Sequence, residues 1–67
     1  MIEIENKRVI VTTDFGAYAV DVWTRSGSTY FAQAQQLNVD EYRVANANGS
    51  NEDEVIQEAV DKLIAKY

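Results

Sequence analysis

The fold is decided by residues 50–67, which read SNEDEVIQEAVDKLIAKY. Apolar side chains in this stretch recur at the spacing of one wide stripe along a helix, the pattern of an amphipathic helix that packs on a core. They are Val55, Ile56, Ala59, Val60, Leu63, Ile64 and Tyr67. Ser50 is a natural N-cap, and the acids after it suit the positive end of the helix dipole. The sequence therefore predicts a C-terminal helix over about residues 51–66.

Before this helix the pattern is that of strands, most clearly over residues 18–35, YAVDVWTRSGSTYFAQAQ. Two alternating runs flank Ser26-Gly27-Ser28, which suits a three-residue hairpin loop with Gly27 in the left-handed region. This register pairs Trp23 with Phe31 on one face. The other face is apolar and consists of Tyr18, Val20, Val22, Tyr30, Ala32 and Ala34. A two-residue loop would pair Trp23 with Tyr30 instead, and we prefer the first register because it gives one cleaner apolar face.

The first part of the chain is also strand-like, because residues 8–13 (RVIVTT) are rich in β-branched side chains. The parity of the apolar positions changes between residues 2–5 and this run. Either Asn6-Lys7 is a tight turn or a bulge resets one longer strand, and we favour a short hairpin at Asn6-Lys7. Residues 14–17 (DFGA) predict a turn.

Residues 37–41 read as a connection and residues 42–47 as a last, weaker strand. The predicted class is α+β, a small meander-like antiparallel sheet of three to five strands with the C-terminal helix packed on one face. We expect a single domain over residues 1–67, rich in β-structure up to residue 47.

Composition excludes several kinds of chemistry. The chain has 67 residues, 11 acidic and 6 basic, a net charge of −5, and no histidine, cysteine or proline. A Ser-His-Asp triad, a thiol nucleophile and an ordinary zinc or copper site are therefore impossible within one chain. The carboxylates Asp40 and Glu41 lack a predicted cleft, and residues 52–54 lack the spacing and glycine of a calcium loop. We expect no enzyme activity, no catalytic residue, no metal and no cofactor.

Charge and hydropathy also bear on location and partners. No run approaches the roughly 18 apolar residues of a membrane span, and the N-terminus lacks the pattern of a signal peptide. The negative charge disfavours direct binding to nucleic acid or to an anionic membrane. We therefore expect a cytoplasmic protein whose partner is another protein.

Two groups of residues are candidates for partner binding. The first is the acidic run of the helix, Glu52, Asp53, Glu54, Glu58 and Asp61. Such a stripe can be presented to a basic protein surface, and the alternative is that it only complements the helix dipole and keeps one face soluble. The second is the pair Trp23 and Phe31 with Asp21 beside it, an aromatic patch of the type enriched at interfaces. The alternative is that Trp23 lies in the core.

Small size, acidity and the lack of catalytic chemistry together predict a protein-binding module. The most concrete hypothesis is a viral inhibitor that occupies a basic nucleic-acid-binding surface, as phage-encoded anti-CRISPR and anti-restriction proteins do. In this hypothesis the helix acids steer association, in the host cytoplasm, while Trp23 and Phe31 supply contact area. The alternative is a self-associating accessory protein, a homodimer through a sheet edge or through the Trp23/Phe31 face.

Overall fold

The computed structural model describes residues 4–25 and 28–66. The described elements are β1 (Ile4–Thr13), β2 (Gly16–Arg25), β3 (Thr29–Gln36), β4 (Val44–Gly49) and α1 (Glu52–Lys66). The strands form one antiparallel sheet in the order β1-β2-β3-β4, so each strand lies beside its neighbour in the chain. The prediction of an α+β fold, a meander with one C-terminal helix, is confirmed.

The helix covers only part of the sheet. It contacts β4, β3 and β2, whereas β1 lies beyond this footprint. The core lies between the helix and those three strands, and its buried members are Tyr18, Val20, Val22, Ala32, Ala34, Ala47, Val55, Ala59, Val60 and Leu63. Since a small core holds this fold together, each large buried side chain carries an unusual share of the stability.

The predicted register of the central hairpin is confirmed. Trp23 pairs with Phe31, and the pairs on either side follow the same alternation. Side chains of successive strand residues point to opposite faces, so the pairing places the apolar set toward the helix and Trp23 and Phe31 away from it. Close to the loop, the buried Thr24 hydroxyl donates a hydrogen bond to the Thr29 carbonyl at 2.8 Å. The predicted conformation of Gly27 lies outside the described residues.

The hairpin predicted at Asn6-Lys7 is wrong. β1 is one strand that pairs with β2 without interruption from Ile4↔Arg25 to Thr13↔Gly16. Val9 and Val11 lie on the helix side of this strand and Ile10 on the other. Because the helix does not cover β1, neither face of the strand is fully buried, and its apolar residues need not keep one parity.

The helix begins one residue later than predicted, and its N-cap is Asn51 rather than Ser50. The Asn51 side-chain oxygen accepts a hydrogen bond from the Glu54 backbone N–H at 3.1 Å, and its backbone carbonyl accepts one from Val55 N–H at 3.0 Å. Those are the two bonds that an N-cap residue makes. The predicted apolar stripe is otherwise confirmed for the described residues, with Ile56 and Ile64 half-buried at its border; Tyr67 lies outside them.

Two further boundaries differ from the prediction. The first turn consists of residues 14–15 alone, and Gly16 already belongs to β2. The last strand begins at Val44 and continues to Gly49, because β3 pairs with it as far as Tyr30↔Gly49. Tyr42 therefore lies in the connection, where its side chain is exposed.

Candidate protein-binding surfaces

Trp23 and Phe31 lie side by side on the sheet face that the helix does not cover. Their ring centroids are 6.0 Å apart and the ring planes differ by 15°, which is a stacked arrangement. Both side chains are half-buried, and neither belongs to the core cluster. The alternative that Trp23 lies in the core is therefore wrong. Aromatic pairs of this kind contribute roughly 0.5–1.5 kcal/mol beyond their buried area, so the pair also stabilises the hairpin.

Asp21 lies on the same face but is engaged by an ion pair. Arg8 donates two hydrogen bonds to the Asp21 carboxylate, from Nε at 2.8 Å and from Nη2 at 3.1 Å. The two residues face each other across β1 and β2. The guanidinium lowers the pKa of Asp21 and the carboxylate raises that of Arg8. Asp21 thus joins the first two strands at the border of the aromatic pair.

This ion pair predicts a pH dependence of stability. The pKa of Asp21 is lower in the folded chain than its ordinary value near 4, so pairing stabilises the fold above that value and the effect is lost as the pH falls through the folded-state pKa. We expect Asp21→Asn to lower the urea midpoint at pH 7, and its difference from the unmodified chain to shrink as the pH falls below the ordinary value of the Asp21 pKa. Asp40→Asn, which removes an exposed acid from the connection before β4, is the control. Its urea midpoint should show no such pH-dependent difference from the unmodified chain. A midpoint difference for Asp21→Asn that persists unchanged at low pH would contradict the role of the pair.

The acids of the helix differ in their surroundings: some are exposed on its outward face, Glu58 lies beside a lysine, and Glu52 is half-buried. Asp53 and Glu54 are exposed, and Glu54 and Asp61 project from the side of the helix opposite its buried stripe. Asp61 accepts a hydrogen bond from the Gln57 side-chain amide at 2.8 Å. Glu58 forms an ion pair with Lys62 one turn later, with 3.4 Å between Oε1 of Glu58 and Nζ of Lys62. The outward face of α1 is accordingly acidic, with a cation along one border.

Glu52 does not belong to that face. It is half-buried and forms an ion pair with Lys7 of β1, which raises the pKa of the Lys7 ammonium. Lys7 and Glu52 also line a groove of about 380 Å³ beside the first turn of the helix, together with Val22, Thr24 and Tyr30. Glu52 therefore links the helix to the strand that the helix does not cover, and its carboxylate stabilises the fold.

The two predicted groups lie on opposite sides of the molecule. The acids project from the outer face of α1, whereas Trp23 and Phe31 lie beyond the sheet. The shortest dimension of the chain is 16 Å, about two Debye lengths at physiological ionic strength. The electrostatic attraction between the helix acids and a partner bound to the aromatic pair would therefore be weak. The structure therefore does not bring the predicted site residues together into one flat interface.

Sequence reasoning missed Ile10 as a surface residue. It lies on the aromatic side of the sheet, in the edge strand β1, with 57% of its surface exposed. The signal was present in the run Val9-Ile10-Val11, because three successive apolar residues in a strand must place one on the opposite face from the other two. Phe15 and Tyr42 are the other large apolar residues that are exposed among those described.

Residues 4–25 and 28–66 contain no group of three carboxylates placed as metal ligands would be. Within the same residues, no helix is long and apolar enough to cross a membrane. These are findings about the described chain, and the predictions on cofactors and enzyme activity stay predictions.

The fold and its surfaces define a small α+β domain with two open faces, one acidic and one aromatic. No protein-family model, no curated protein and no solved structure matches this chain.

Proposed function

We propose that this chain is a small acidic protein-binding module, most concretely an inhibitor of the phage-encoded anti-CRISPR or anti-restriction type. It occupies the basic nucleic-acid-binding surface of a partner protein and acts in the cytoplasm of the host cell. The observation that carries the proposal is the outward face of α1, where Glu54 and Asp61 stand exposed to solvent on the side opposite the buried stripe and Asp53 is exposed beside them in the first turn.

The charge density of this face suits such a partner. The acids of the outward face are Glu54, Glu58 and Asp61, which follow one another at intervals of about 6 Å and 4.5 Å of helix axis at ~1.5 Å per residue. One strand of DNA presents a phosphate about every 3.4 Å of axis. A surface built to hold phosphates would therefore meet a row of anions at a somewhat wider spacing, with the central one, Glu58, paired to Lys62.

The basic residues of the chain do little to offset this face. Ion pairs engage four of them within the described residues: Lys7, Arg8, Arg43 and Lys62. Of these, Lys62 alone lies on the helix. The long-range field of a chain with net charge −5 favours encounter with basic proteins and opposes contact with nucleic acid.

The contribution of Trp23 and Phe31 to this function is smaller than the sequence suggested. Because they lie on the far side of the sheet, the proposed interface is the helix face with its acids. It contains no large apolar anchor among its described residues, so binding should depend strongly on salt.

The direct test is inhibition of DNA cleavage. Purified chain is added to a panel of CRISPR effector nucleases and restriction endonucleases, and cleavage of labelled duplex is followed at rising salt. We expect at least one enzyme to be inhibited, with the inhibition weakening as salt increases. If no enzyme in a broad panel is inhibited at low salt, the inhibitor proposal fails.

A pair of matched variants tests the surface. Glu54→Lys/Asp61→Lys reverses two exposed acids of the helix face and should reduce inhibition at least tenfold, because each reversal replaces an attraction with a repulsion. Asp14→Lys/Asp40→Lys makes the same change in net charge at the turn end of the sheet, and we expect less than a threefold loss. Equal losses would mean that net charge matters and that the helix face does not. Glu52 is left intact because of its ion pair with Lys7.

Self-association is the second candidate, and a separate observation favours it. The aromatic face and the edge of β1 are both uncovered within the described chain, and Ile10 is exposed where the two meet. A homodimer would cover apolar surface that the helix cannot reach.

A further inference from the structure

The two edges of the sheet differ. One edge strand is β4, which has only six residues. There the Lys62 ammonium donates a hydrogen bond to the Asn46 backbone carbonyl at 3.3 Å. A lysine laid along an edge strand is one of the devices that block pairing with another chain. The helix also lies over this side of the sheet.

The β1 edge carries Lys7 and Arg8, but both cations are engaged by acids of the same copy, Glu52 and Asp21. β1 has ten residues, pairs with β2 without a bulge, and contains no proline. Alternate residues of an antiparallel edge strand direct their backbone N–H and C=O groups away from the sheet. No described strand pairs with these groups, so β1 offers an unbroken template for another strand.

We propose that the occupant of this edge is β1 of a second copy of the chain, in an antiparallel register centred on Ile10. The inference gives the self-association candidate its surface and register, and it does not depend on the inhibitor proposal. The two sheets would join into one of eight strands, with both helices on the same side, because a twofold axis perpendicular to the sheet keeps each face on its own side.

The sequence of β1 is symmetric about Ile10 in the sense that this register needs. Ile10 would face Ile10 of the second copy, and Val9 would face Val11. Residues 7 and 8, both cations, would face residues 13 and 12, both threonines. A register centred on Arg8 would instead set two guanidinium groups opposite each other, which is unfavourable.

Charge also points to this edge. Each copy carries a net charge of −5, so two copies repel one another at most contact surfaces. Residues 7–13 contain no acid, and their two cations are paired with Glu52 and Asp21, so this segment is close to neutral. The outward acids of α1 lie over the other side of the sheet. The β1 edge is therefore a place where two copies can approach without opposing carboxylates. An interface of seven residue pairs belongs to the small class, below about 1,200 Å², so we expect a weak, concentration-dependent dimer.

Analytical ultracentrifugation of the full chain from micromolar to millimolar concentration tests the proposal. We expect the unmodified chain to shift from monomer to dimer across this range. Ile10→Lys should weaken the dimer at least tenfold, since the twofold axis brings the two new ammonium groups together. Thr12→Lys should also weaken it, because the new cation would face Arg8 of the other copy. Both positions are exposed, and circular dichroism checks that each variant folds.

Asn48→Lys is the matched control. It adds the same charge to an exposed position of β4, beside Phe31 on the uncovered face, and should change the dimerisation constant less than twofold. A chain that stays monomeric at millimolar concentration overturns the proposal, as does a dimer that Asn48→Lys weakens and Ile10→Lys does not. A dimer sensitive to Ile10→Lys but not to Thr12→Lys overturns the register. None of these outcomes bears on nuclease inhibition, which is measured separately.

Discussion

Leu63→Ala is expected to leave the chain largely unfolded at 37 °C. Leu63 is 1% exposed and is among the largest fully buried side chains of the helix and sheet. Truncation of a buried leucine to alanine costs about 2–5 kcal/mol, because the apolar contacts are lost and a cavity is left. A single core in a chain of this length rarely supplies more than about 3–5 kcal/mol in total. Thermal denaturation followed by circular dichroism should show the transition lowered below physiological temperature.

Ile64→Ala is the control for this prediction. It removes the same number of carbon atoms at the next helix position, where the side chain is only half-buried. We expect a smaller loss, about 1 kcal/mol, since part of the surface removed was already in water. If the two variants melted at the same temperature, Ile64 would have to be buried as deeply as Leu63, which requires a different rotation of the helix about its axis.

The central hairpin and the helix were predictable because local and long-range signals agree there. The alternation over residues 18–35 and the helical stripe after residue 54 both point apolar side chains at the same core. Most residues of β2 and β3 are therefore assigned to a face by burial. Ala19 is an exception, since it is buried on the aromatic side of the sheet. The N-cap was misplaced by one residue because Ser50 and Asn51 are both good caps, and only the three-dimensional path of the chain decides between them.

The first strand was not predictable in the same way. β1 lies beyond the helix, so its side chains are sorted by burial only partly: Val9 and Val11 are half-buried, Val11 packs against the core, and Ile10 is exposed. This weak sorting begins at residue 9, so it carries little information about a turn at Asn6-Lys7. What fixes β1 is its partner. β2 runs for ten residues, and an unbroken β1 satisfies the hydrogen-bonding groups along its whole length.

The two candidate surfaces were predictable as residues and, in outline, as an arrangement. Composition and periodicity identify the acids of the helix, and the hairpin register identifies Trp23 and Phe31 and sets them on the face away from the apolar residues that a helix would cover. The ion pairs of Asp21 and Glu52 were not predictable, because they depend on β1 lying beside β2 as one strand. The two functional candidates, charge-driven binding through α1 and self-association at the sheet, therefore use different parts of the molecule and can be tested separately.

Gly16→Val is expected to lower the free energy of unfolding by about 2–3 kcal/mol. Gly16 has φ = 136°, which side-chain-bearing L-residues rarely adopt, and strain of this kind costs roughly 1–3 kcal/mol, with β-branched residues least tolerant. Space is not the obstacle, because an added Cβ would lie 3.4 Å from the end of the flexible Gln36 side chain. The conformation is held by the turn itself, where the Thr13 hydroxyl donates to the Gly16 carbonyl at 3.2 Å and accepts from the Phe15 N–H at 3.1 Å.

The control for this variant is Ala17→Val, which enlarges the next residue of the same strand. Ala17 does not have a positive φ, and a β-branched side chain suits a strand, so its effect should stay within about 1 kcal/mol. Urea unfolding gives both values, and amide hydrogen exchange locates the damage. Because β1 is held mainly by β2, strain at this turn should speed exchange in β1 before it reaches β3 and β4. Equal destabilisation by the two variants, or uniform loss of protection across the sheet, would show that the backbone at Gly16 is not what holds the first hairpin closed.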